Sequence, residues 1–97
     1  MTRGETMGVA VERLRKAFCL VETPEEAAAL LSDLCSPGEV ADFAQRLEMA
    51  TMLWNGASYA EVCSTTGASS TTVSRVSKCL KSDAGGYRMV LERLSKE

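Results

Sequence analysis

Ser58-Tyr59-Ala60-Glu61-Val62-Cys63-Ser64-Thr65-Thr66-Gly67-Ala68-Ser69-Ser70-Thr71-Thr72-Val73-Ser74-Arg75-Val76-Ser77-Lys78-Cys79-Leu80 holds two helix starts and one stop. Ser58 followed three residues later by Glu61 is a capping box, in which the serine oxygen accepts a first-turn N–H and the glutamate reaches back. The short helix it opens must stop at Gly67, one residue after Thr66, because glycine enters the left-handed conformation without a Cβ penalty. Ser69 or Ser70 then caps a second helix. Val62, Val73, Val76 and Leu80 fall in register as a seam between the two helices, and Cys63 is small where they cross. Two short helices on a tight glycine turn predict a helix-turn-helix over about residues 58–80.

With Val73, Val76 and Leu80 inward, the second helix turns Ser70, Thr71, Ser74, Arg75 and Lys78 away from the seam or onto its flank. No carboxylate occurs from Ser64 to Ser82. Such a face suits duplex DNA: the helix start aims N–H groups at phosphate, hydroxyls donate to phosphate or base edges, and Arg75 can fork onto a guanine. Thr71 and Thr72 carry methyls for a thymine methyl, and Lys78 and Lys81 reach backbone phosphate. Ser69, Ser70, Thr71, Thr72, Ser74, Arg75, Lys78 and Lys81 are therefore the candidate DNA-binding residues. The formal net charge of −2 conceals this. Residues 1–57 carry five basic groups against nine acidic, whereas residues 58–82 carry Arg75, Lys78 and Lys81 against Glu61 alone. A positive element on an acidic support is the charge pattern of a DNA reader. The alternative is a helix-turn-helix used for protein–protein interaction without DNA binding, for which the acidic first half is the best support. Salt separates the two, since contacts to phosphate weaken steeply as it rises.

The flanking sequence is helical throughout, with no period-two alternation to signal a strand. Val11, Leu14, Phe18 and Val21 give an apolar face to a helix from about Thr6 to Val21. Thr23-Pro24-Glu25-Glu26 is a second capping box with proline at the first helical position. It opens a helix with Ala27, Leu30, Leu31 and Leu34 as its buried stripe, ending near Cys35. Ser36-Pro37-Gly38-Glu39 repeats the signal for the longest helix, which Asn55-Gly56 stops. Val40, Phe43, Ala44, Leu47, Ala50 and Trp54 share one of its faces, and Met49, Met52 and Leu53 broaden it. A helix apolar over so much of its circumference needs cover on more than one side, and a second subunit can supply it. After Gly85-Gly86 a last helix points Tyr87, Val90, Leu91 and Leu94 inward.

At 97 residues, 45% hydrophobic and 25% charged, the chain reads as a single domain over residues 1–97. No uncharged run is long enough for a membrane span and no secretory signal is recognisable, so the expected location is cytoplasmic and no membrane partner is expected. Histidine is absent, which removes the usual general base and zinc ligand. Cys19, Cys35, Cys63 and Cys79 lie 16, 28 and 16 apart without ligand-like spacing, and read as reduced, mostly buried small apolar groups. With no catalytic residues, cofactor or metal suggested, the sequence points away from an enzyme.

Several motifs together resemble the Trp-repressor-like DNA-binding proteins, and within them the YerC/YecD-type branch. These are Asp33-Leu34-Cys35, Gln45-Arg46-Leu47-Glu48, Thr66-Gly67-Ala68-Ser69, Val73-Ser74-Arg75-Val76, and Gly86-Tyr87 with Val90-Leu91. The resemblance covers about Leu20 to Leu94. It implies an all-α, six-helix Trp-repressor-like fold in an intertwined homodimer, whose two helix-turn-helix units address successive major grooves as a transcription regulator. It also implies an effector pocket between Arg46 and Arg75, the positions that match the two corepressor-holding arginines of the tryptophan-sensing repressor. There the residue after the second arginine is glycine. Val76 fills that space here, so a tryptophan corepressor is not expected, and any small-molecule effector is left unidentified. Arg46 is then free to pair with an acid such as Glu48 or Glu61, or to approach phosphate.

Overall fold

The structure, a computed structural model, describes residues 3–97. Its elements are helices throughout: α1 (Arg3–Leu20), α2 (Pro24–Leu34), α3 (Pro37–Trp54), α4 (Tyr59–Thr66), α5 (Ser70–Leu80) and α6 (Gly86–Leu94). They fall into two units, a first ending at Pro37 and a second, Gly38–Glu97.

The first unit has its predicted helices. α1 begins earlier than Thr6, with Glu5 in its first turn, where a negative charge meets the positive end of the helix dipole. Thr23 caps α2: its Oγ1 accepts the Glu26 N–H at 3.1 Å. Glu26 reaches back as a capping box requires, but its carboxylate takes the N–H of Glu22 at 3.0 Å, one residue before the cap. Cys35 ends the helix with its N–H on the Leu31 carbonyl. Burial departs from expectation. Among the described residues neither α1 nor α2 buries a side chain. Val11, Leu14 and Phe18 are exposed, Phe18 at 51%, as is Leu34. The α1 stripe is mostly exposed, whereas Val21 and, on α2, Ala27, Leu30 and Leu31 are half-buried.

The second unit contains the core. Met49 and Ala50 from α3, Val62 from α4, Val73 and Val76 from α5 and Leu91 from α6 are buried together, with Leu47, Met52, Leu53, Leu80 and Tyr87 packed around them. α5 packs between α4 and α6. Met49, expected only to broaden the α3 face, is fully buried, whereas Phe43 and Trp54 from the predicted face are exposed. Val90 and Leu94 of α6 are exposed too, against their expected inward position, and Leu91 alone of that helix is buried. α3 closes in a Schellman arrangement at Gly56, with Ala57 N–H on the Met52 carbonyl at 3.0 Å and Gly56 N–H on the Leu53 carbonyl at 3.1 Å.

All four cysteines are free, but none is buried. Cys19 and Cys79 are exposed, and Cys35 and Cys63 half-buried. The expectation that most were core groups fails because Cys19 lies on the uncovered α1 and Cys79 on the open side of α5.

Candidate nucleic-acid interface

Local chemistry sets the geometry of α4 and α5. Ser58 caps α4, its Oγ accepting the Glu61 N–H at 3.1 Å. Gly67 ends α4 at φ +75°, a conformation that costs an L side chain roughly 1–2 kcal/mol, and returns its N–H to the Cys63 carbonyl. Thr66 ties the turn further: its hydroxyl donates to the Val62 carbonyl at 2.7 Å and accepts the Ala68 N–H at 3.2 Å. From α3, Gln45 Nε2 donates to the Thr66 carbonyl at 3.0 Å, fastening the turn to the long helix. Ser69, not Ser70, caps α5, accepting the Thr72 N–H at 3.2 Å. The seam is as read: Val62 and Val73 are fully buried, Val76 is 4% exposed and Leu80 half-buried.

The structure gathers part of the predicted face. Ser70, Thr71, Ser74, Arg75 and Lys78 line one open groove of about 530 Å³ along the outer side of α5. All but the half-buried Ser74 are exposed. The other three predicted residues stand apart from this lining. Ser69 Oγ and Thr72 Oγ1 lie 3.0 Å apart and bond to each other, so both hydroxyls already serve the helix start. Lys81 is exposed at the C-cap, beyond the groove. The groove adds one residue that the sequence reading passed over. Tyr59, exposed at the first position of α4, forms part of its wall. Its signal was present: an aromatic inside a capping box has no part in the cap, and an exposed phenol has both a stacking face and a hydrogen-bonding end.

A second cleft of about 390 Å³ brings Arg46 of α3 and Arg75 of α5 together, with Thr71, Thr72, Val76, Cys79 and Tyr87 also in its lining. No carboxylate lines either cavity among the described residues. Arg46 pairs with neither Glu48 nor Glu61. Its guanidinium lies over the Phe43 ring, 5.6 Å from the centroid, where the π face attracts a cation from within its own helix. Val76 contributes to the wall from its place in the core.

Comparison with known proteins bears on this geometry. Residues 10–95, from α1 to the end of α6, match the Trp repressor protein family. The chain belongs to that family. It is 37% identical over 87 residues to YerC, an uncharacterized protein of Bacillus subtilis strain 168, covering 90% of this chain and 84% of that one. The crystal structure of a candidate Trp repressor from Staphylococcus aureus superposes with a TM-score of 0.83 at 34% identity, covering 100% of this chain and 98% of that one. A TrpR-like protein from Eubacterium eligens ATCC 27750 gives 0.78 at 38%, covering 89% of each chain. The six-helix, all-α architecture is thus that of the Trp repressor family. Among the described residues, no helix is long and apolar enough to cross a membrane.

Proposed function

We propose that the protein is a sequence-specific, duplex-DNA-binding transcription regulator that acts as a homodimer and performs no chemistry. The observation that carries this reading is the groove on α5, where hydroxyls, a guanidinium and an ammonium converge without a carboxylate. In it α5 is the reading helix: Arg75 reads a base edge, Ser70, Thr71 and Ser74 contact phosphate or base edges, and Lys78 sets affinity through phosphate. Tyr59 joins them from α4. Ser69 and Thr72 act through the helix start they build, whose free N–H groups face phosphate, and Lys81 adds a phosphate contact past the groove.

The homodimer is supported by the apolar side chains left in water on α1, α3 and α6. An intertwined arrangement covers such stripes and sets two reading helices about 34 Å apart, so the operator is approximately palindromic. The working compartment is then the cytoplasm. The Arg46–Arg75 cleft is the place for an anionic effector, and Val76 in its wall argues against an indole there. Calorimetry of the wild type with tryptophan should give no binding heat, and measurable binding would overturn that account of Val76.

Selection of bound sequences from random duplexes, repeated at two salt concentrations, tests the main reading. A palindromic enriched sequence whose affinity falls steeply with salt is the expected result. Failure to enrich any sequence would defeat it and favour a protein partner for the helix-turn-helix.

A further inference from the structure

The far end of α5 is closed by side chains as well as backbone. The last carbonyls of a helix have no partner within it, and here those of Ser77, Cys79 and Leu80 find one. The Lys81 N–H returns to the Ser77 carbonyl at 3.2 Å. The Cys79 carbonyl accepts both the Ser82 hydroxyl, at 2.7 Å, and the Ser82 N–H, at 3.1 Å. The Leu80 carbonyl, last in the helix, is taken by Arg88, whose Nη1 donates at 2.6 Å from the first turn of α6. This places a positive charge at the negative end of the α5 dipole. Arg88 is half-buried and forms no ion pair among the described residues. Beside it in the turn, Gly85 has φ +71°, and a Cβ there would lie 3.3 Å from Arg88 Nη2.

We infer that Arg88 is a positioning residue that locks α5 to α6 and thereby fixes the separation of the two reading helices on DNA. The inference rests on the homodimeric DNA-binding reading above. Met89 and Val90, one and two positions after Arg88, and Leu94, one turn after Val90, are the exposed apolar residues of α6. A second copy that covers them holds α6 in place. The clasp to Leu80 then carries that placement into the direction of α5, because a hydrogen bond at a helix end resists the swing that seam packing alone allows. Spacing is the sensitive quantity. One base pair moves a half-site about 3.4 Å along the axis and turns it by about 34°.

The test measures binding of wild type, Arg88→Ala and Arg88→Lys to the duplex enriched by selection and to versions with one base pair added or removed between half-sites. Salt dependence and thermal melting are followed in parallel. Wild type should lose about tenfold or more in affinity on either change of spacing, comparable to a mismatched base pair. Arg88→Ala should bind all three duplexes within about threefold of one another, and Arg88→Lys, whose ammonium still reaches a carbonyl, should fall between. Should Arg88→Ala fail to melt cooperatively, Arg88→Lys decides alone. Wild-type discrimination retained by a folded variant would overturn the inference. So would an equal loss on every spacing with a salt slope lower by about one, which marks a phosphate contact instead. A wild type that enriches no duplex defeats the underlying reading, and is plainly different from a wild type that discriminates spacing while its variants do so equally well.

Discussion

The helix pair α4–α5 and the pair α1–α2 begin with similar sequence devices and end in opposite states. Each pair includes a serine- or threonine-capped helix, and each carries apolar residues at three- and four-residue spacing. Val62 and Val73 vanish from solvent in the first pair, whereas Phe18 and Leu34 remain about half exposed in the second. The difference lies in what each stripe finds. α4 and α5 meet across a glycine turn and share a core with α3 and α6. α1 and α2 form complete helices with no fully buried side chain among the described residues. Periodicity identifies a face that needs cover, and it does not say which chain provides the cover.

The largest expected effect tests this contrast directly. Phe18→Asp should keep its helix content by circular dichroism yet lose the proposed dimer by light scattering. A charge trapped without a partner costs about 3–5 kcal/mol, or two to nearly four decades in association. A dimer of unchanged affinity would show that α1 stays in water and that the two pairs differ for another reason. In the closed pair's core, Met49→Ala should cost about 2–5 kcal/mol in chemical denaturation, because it opens a cavity where no side chain is exposed. A loss well under 1 kcal/mol would mean that the core is far looser than its burial suggests.

Smaller changes sharpen the functional side of the contrast. Arg75→Ala should cost about 1–3 kcal/mol on the selected duplex and relax preference at one base pair. Lys78→Ala should weaken binding alike on all sequences and lower the salt slope by about one. If both leave binding intact, α5 is not the reading helix. Ser69→Ala should remove the α5 cap at about 1 kcal/mol in thermal melting, with the groove residues unchanged in identity. A variant as stable as wild type would indicate that the Thr72 hydroxyl takes over the cap.

What the sequence disclosed was mainly what is local. Thr23 and Ser58 cap within a few residues of themselves, and Gly67 stops α4 at the predicted residue, so spacing alone revealed these boundaries, while the α5 cap was narrowed to Ser69 or Ser70. The seam of Val62, Val73 and Val76 was legible because two adjacent helices share it. Burial of Met49 and exposure of Phe43 were not, since they depend on where α3 sits relative to elements far along the chain. The groove was partly legible: Ser70, Thr71, Ser74, Arg75 and Lys78 follow from the face opposite the seam. Tyr59 came from a different helix, and only the crossing of α4 and α5 sets it beside them. That Ser69 and Thr72 also bond to each other at the helix start was not legible, because hydroxyl chemistry alone does not distinguish a cap from a ligand.

Trp54 is the chain's single tryptophan, and it sits at the end of α3 with 43% of its surface in water. That placement makes the protein its own fluorescent probe. An indole half in solvent emits toward the red, and an emission maximum that moves to the blue as concentration rises would report the face becoming dry, without a label or a substitution. Dilution would reverse the shift and trace the strength of the association directly.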